Sequence, residues 1–102
     1  MERMSIMTQK AVFKEISKIV KKHLPKGDYS VFVFGSRATN TSREYSDIDV
    51  GIEGDEKLPL STIGFMKEDL EKSSIPYTVD VVDFSRVSAH FKDFATKNTI
   101  KL

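Results

Sequence analysis

Apolar residues in this chain keep a helical spacing, then a strand's, then a helical one again, and that alternation demands a mixed α/β (α+β) architecture. From about Thr8 to Leu24, Val12, Phe13, Ile16, Ile19, Val20 and Leu24 form one stripe, until Pro25 and Gly27 stop the helix. Tyr29 to Phe34 is short, aromatic and β-branched, which predicts a buried strand broken by Gly35-Ser36. A polar, turn-rich stretch from Arg37 to Ser46 leads into a second strand, Asp47 to Ile52. After a Leu58-Pro59 loop, Ile63, Met66 and Leu70 mark a helix over about Leu60 to Ser73. Tyr77 to Val82 is the third strand, and Phe84-Ser85 opens a last helix carrying Val87, Phe91, Phe94 and Ala95. The expected order is α-β-(turn or short helix)-β-α-β-α, giving a small mixed three-stranded sheet flanked by helices.

A length of 102 residues suits one domain spanning 1–102, with one core and no second domain. No apolar run reaches bilayer-crossing length, and Met1 to Met7 lacks a signal-peptide core, so neither membrane insertion nor secretion is expected. With no cysteine there are no disulfides and no thiolate metal sites, as suits a cytoplasmic protein. Sixteen basic residues against 15 acidic leave a net charge of +1. Broad nucleic-acid binding through phosphates needs a larger basic excess and is not expected.

The chemistry-bearing residues stand out because they oppose local propensity. Aspartate is a poor strand former, yet Asp47 and Asp49 lie two apart in an otherwise apolar strand segment, where strand geometry aims both carboxylates to one side. Their mutual repulsion is relieved by a divalent cation, and carboxylate oxygens suit a hard ion such as Mg²⁺. A solvent-facing strand is the competing account of that pair taken alone. Gly35-Ser36 ends the first strand in a turn that can aim backbone N–H groups at an anion, with Arg37 offering a cation. Taken alone, it is an ordinary glycine turn. Asp80 is a lone acid inside the third strand, whereas Asp83 at the strand's end suits a turn or helix cap. Together, a phosphate-cradling turn, paired aspartates and a third aspartate on a later strand are the parts of two-metal phosphoryl-type transfer.

These residues resemble the nucleotidyltransferases of the DNA polymerase β superfamily. Their pattern is an apolar strand ending in Gly-Ser, about ten residues, then Asp-apolar-Asp-apolar; here it reads Val33-Phe34-Gly35-Ser36, residues 37–46, then Asp47-Ile48-Asp49-Val50, with Asp80 as the later carboxylate. Gly35-Ser36-Arg37-Ala38 and Ser46-Asp47-Ile48-Asp49 are similar to the minimal nucleotidyltransferases that form toxin–antitoxin pairs with small helical HEPN-domain proteins. Where many minimal members carry glycine this chain has Asn40, the non-glycine residue that best tolerates left-handed geometry.

The resemblance implies a nucleotidyltransferase fold and a transferase that uses ATP and Mg²⁺, two ions being expected. It assigns Asp47, Asp49 and Asp80 to metal and catalysis, and Gly35, Ser36 and Arg37 to the nucleotide. The acceptor it implies is a hydroxyl on a HEPN toxin partner, a tyrosine being the expected residue, so that the chain acts as an antitoxin; a homo-oligomer is compatible with this. Two other readings stay open: an antitoxin that neutralises by binding alone, and a transferase acting on RNA ends or a small molecule. The remaining candidates read blandly. Lys18, Lys21, Lys22, Lys26 and His23 suit a solvated helix end, His90 a surface position, and Phe91 and Phe94 a core.

Overall fold

The computed structural model describes residues 8–38 and 47–102. The stretch holding Asn40 and Ser46, and the segment Met1 to Met7, lie outside the described residues. Helix α1 spans Gln9–His23, and Thr8 caps it by accepting a hydrogen bond from the Ala11 N–H at 3.1 Å. Strand β1 (Tyr29–Phe34) runs into a single 3₁₀ turn at Gly35–Arg37. Strand β2 is Ile48–Gly54, helix α2 Leu60–Lys72, strand β3 Val79–Asp83 and helix α3 Ala89–Ala95. A two-residue strand, β4 (Ile100–Lys101), follows.

The sheet order is β3-β2-β1-β4, with β1 antiparallel to β2 and β4 and β2 parallel to β3. Parallel neighbours need a crossover, and α2 supplies it. The sheet is mixed, as expected, but four-stranded rather than three-stranded. The turn after β1 starts at Gly35 itself, and Phe84-Ser85 lies in a turn ahead of α3, which begins behind its own cap, Ser88.

Both faces of the sheet are covered, which is why β1 reads as an unbroken apolar run. Val31, Val33, Ile48, Val50, Ile52 and Val81 pack against Val12, Ile16, Ile19 and Val20 of α1 and Met66 and Leu70 of α2. On the opposite face Phe32, Phe34 and Phe84 cluster with Ala95, their rings meeting edge to face at centroid separations of 5.0 Å from Phe84. Gly51 makes this possible. A Cβ there would lie 2.6 Å from atoms of the Phe32 and Phe84 rings, so only glycine lets them settle on the strand.

Two residues, His23 and Asp83, also tie separate elements together. His23 Nε2 lies 2.6 Å from Asp69 Oδ2, joining α1 to α2. That hydrogen bond, followed by the one from Lys22, holds the Asp69 carboxyl below the usual carboxylate range. Asp83 opens a turn, the first of the two roles expected of it, and is buried rather than a helix cap. Its carboxylate accepts from the Leu58 N–H at 2.8 Å and the Ser85 N–H at 2.9 Å, with Arg86 Nε at 3.5 Å. Asp83→Ala would leave two backbone donors without their acceptor, and urea unfolding should show a loss of about 2–3 kcal/mol. Conversely, Phe94 is 69% exposed and Phe91 38%, so neither is the core residue its spacing suggests. Phe91 still packs against the Phe34 and Phe84 rings. Among the described residues no helix is long and apolar enough to cross a membrane.

Candidate functional site

Strand alternation decides where the carboxylates go. Ile48, Val50 and Val81 point toward α1 and α2, so Asp49 and Asp80 between them point to the opposite face, beside the aromatic cluster. The parallel register of β2 and β3 pairs Asp49 directly with Asp80. The antiparallel register of β1 and β2 pairs Asp49 with Phe34, the residue before Gly35. One aspartate is therefore the meeting point of the turn and the later strand. Asp47 stands just outside β2, exposed, and close enough for its charge to act on Asp49.

Gly35 has φ +76°, a left-handed conformation that favours glycine. A Cβ built on it would lie 2.6 Å from Asp49 Oδ2. The Asp49 carboxylate thus rests on the bare backbone of the turn. The turn is therefore in direct contact with one member of the expected carboxylate pair, Asp49, while Asp47 stands apart from it.

The electrostatics follow from this crowding. Burial pushes the Asp49 carboxyl above its ordinary value, and the charges of Asp80 and then Asp47 push it the same way. The described cation nearest to Asp80 in an ion pair is Lys67 on α2, whose Nζ lies 3.5 Å from Asp80 Oδ1, across the edge of the sheet. Arg37 lies with its guanidinium carbon 4.6 Å from the centroid of the Tyr77 ring, linking the turn to the loop before β3. Among the described residues no three His, Asp or Glu side chains are already drawn onto one cation-sized point.

The structure therefore brings Gly35, Asp49 and Asp80 together, sets Asp47 at the margin, and rests Arg37 on an aromatic ring. Sequence reasoning missed Lys67 and Tyr77. Lys67 is one of two lysines on α2, and no spacing rule connects it to a strand residue thirteen positions on.

A family model described as a nucleotidyltransferase domain matches residues 13–102. A Haemophilus influenzae protein named "Probable protein adenylyltransferase MntA" is 34% identical over 70 residues, which cover 69% of this chain. The match spans 61% of that relative's length. Among solved structures, a toxin–antitoxin structure with AMP-PNP aligns with a TM-score of 0.72 at 22% identity, over 86% of this chain and 69% of that one. A complex of tri-AMPylated Shewanella oneidensis HEPN toxin with MNT antitoxin aligns with a TM-score of 0.71 at 20% identity, over 92% of this chain and 71% of that one. At those identities the two structures speak to the fold.

Proposed function

The chain belongs to the nucleotidyltransferase domain family, and from that premise we propose that it transfers AMP from ATP to a hydroxyl on a HEPN toxin, acting as that toxin's antitoxin. One observation carries the proposal: the Gly35 turn, Asp49 and Asp80 occupy a single place on the sheet. The AMP group and the protein acceptor follow the name of the Haemophilus influenzae relative, and the partner class follows the Shewanella oneidensis complex.

Asp47, Asp49 and Asp80 fit a hard divalent cation, Mg²⁺ above all. They supply carboxylate oxygens alone, and the repulsion that raises the Asp49 carboxyl is what a cation relieves. Bound there, such an ion would neutralise phosphate charge and acidify the acceptor hydroxyl. The remaining roles belong to the chain itself. Backbone at Gly35 and Ser36 faces the triphosphate, and Arg37 adds charge beside it. Asp80 receives the acceptor's proton as the acceptor oxygen bonds to the α-phosphorus. The bond from that phosphorus to the bridging oxygen breaks, and pyrophosphate leaves.

The test uses ATP labelled on the α- or the γ-phosphate, with Mg²⁺ and lysate of the native host. Label from the α-position alone should appear on a small protein, and should vanish with Asp47→Asn/Asp49→Asn. Label from the γ-position, label on RNA, or no label at all would each overturn the proposal.

A further inference from the structure

Lys67 projects from α2, which lies against the face opposite the carboxylates, yet its ammonium reaches Asp80 around the edge strand β3. Both side chains are about half exposed, so the contact adds little to stability. Its position matters more than its strength. Asp80 is the register partner of Asp49, so a cation shared by those two carboxylates would have to share Asp80 with the ammonium.

Lys67 also has somewhere else to go. It lines a cavity of about 500 Å³ between α2 and the start of β3, whose walls include Leu70, Ile75, Tyr77 and Val79. Glu71 lines the same cavity and stands four positions after Lys67, the spacing at which helical side chains of opposite charge meet. The ammonium therefore has two anionic partners within its reach, Asp80 on one side and Glu71 on the other.

We infer that Lys67 is an internal counter-ion for Asp80 that a divalent cation must displace, so that the bare protein holds metal more weakly than its three carboxylates would allow. This rests on the reading of Asp47, Asp49 and Asp80 as a metal site. Displacement moves the ammonium toward Glu71 and frees Asp80 Oδ1. An arriving cation has to break the ion pair, and the residual positive charge on α2 continues to oppose it. Removing that charge removes both terms.

The experiment is a titration of the full chain with Mn²⁺ alone, at neutral pH and low ionic strength, where exposed charges are least screened. Free Mn²⁺ is followed by its electron paramagnetic resonance signal, with no turnover involved. Lys67→Gln should bind Mn²⁺ about three- to fivefold more tightly than wild type, the range expected for loss of an exposed pair. Lys67→Arg, which keeps the charge, should match wild type. Lys72→Gln makes the same change in net charge on the same helix, beside Glu68 rather than Asp80, and should also match wild type. Equal affinity for Lys67→Gln and wild type overturns the inference, as does an equal gain for Lys72→Gln. Asp49→Asn separates the two levels of failure. If it binds Mn²⁺ as wild type does, the metal site itself falls and takes the inference with it. If it loses Mn²⁺ while Lys67→Gln stays at the wild-type affinity, only the role of Lys67 falls.

Discussion

Asp49→Asn is expected to lower transfer by at least about a thousandfold while leaving the protein folded, because it removes one carboxylate from the point where turn, β2 and β3 converge. Asparagine has nearly the same shape, so packing against Gly35 and the aromatic face should survive. Its effect on stability should run the other way. Asp49 has a raised pKa, caused first by burial and then by Asp80 and Asp47. A carboxyl raised in the folded state binds its proton more tightly there than in the unfolded chain. It therefore favours folding below the unfolded value of about 3.8, and that advantage is lost as pH rises through the folded value. At neutral pH the ionised Asp49 is a liability. Without metal, Asp49→Asn should melt at or above the wild-type temperature at neutral pH, and the difference should shrink as pH falls toward 4. Mg²⁺ should raise the melting temperature of wild type and not of the variant. A variant that melts lower than wild type at neutral pH in the absence of Mg²⁺ would show that the carboxylate is held for structure rather than for chemistry.

How much of this was legible in the sequence depended on whether the signal was local. Helix α1 announced itself through an apolar stripe with Thr8 ahead of it and Pro25 behind, and it spans Gln9–His23 with Thr8 as cap. Strand β4 gave no signal, because two residues cannot show a period; it exists because Leu102 and its neighbours find open hydrogen-bonding positions on β1, with the Leu102 N–H donating to the Val31 carbonyl at 2.8 Å. Phe94 kept a helical spacing with Phe91 and so looked internal, but a seven-residue helix over one small cluster has too little buried face to cover it. Asp83 was readable as a turn residue because it ended a strand, and the Ser85 N–H does donate to it; only the folded chain brings the Leu58 N–H to it from twenty-five residues away.

The candidate site divides the same way. Gly35, Asp49 and Asp80 were readable because each breaks a local rule: a glycine at a strand end and acids inside strands. That Asp49 would pair with Asp80 in register, and that its carboxylate would lie against Gly35, are consequences of strand order and could not be read from spacing. Lys67 obeys every local rule for an exposed helix position, and its contact with Asp80 depends on β3 being the edge strand. Sequence showed which residues were out of place. The fold showed that they were out of place together.

Gly35→Ala is the second substitution expected to have a large effect, and it tests that togetherness directly. Two penalties arrive at once. At φ +76° an alanine carries the left-handed strain of about 1–2 kcal/mol that glycine avoids. Its Cβ would also come 2.6 Å from Asp49 Oδ2, well inside contact distance, so turn or carboxylate must move. The carboxylate is the freer of the two, since the Asp49 backbone is held in the sheet on both sides. A shift of about 1 Å at a reacting centre can remove a hundredfold in rate, and transfer should fall by about that factor. The loss should come with weakened Mn²⁺ binding in the variant, because the displaced group is a proposed ligand. Asp49→Asn/Gly35→Ala then discriminates between strain and displacement. If displacement of Asp49 is the cause, the double variant should be no less active than Asp49→Asn alone, since the group that Gly35 accommodates has already lost its charge. If the two losses multiply, Gly35 acts on the nucleotide through its own backbone, independently of the carboxylate beside it.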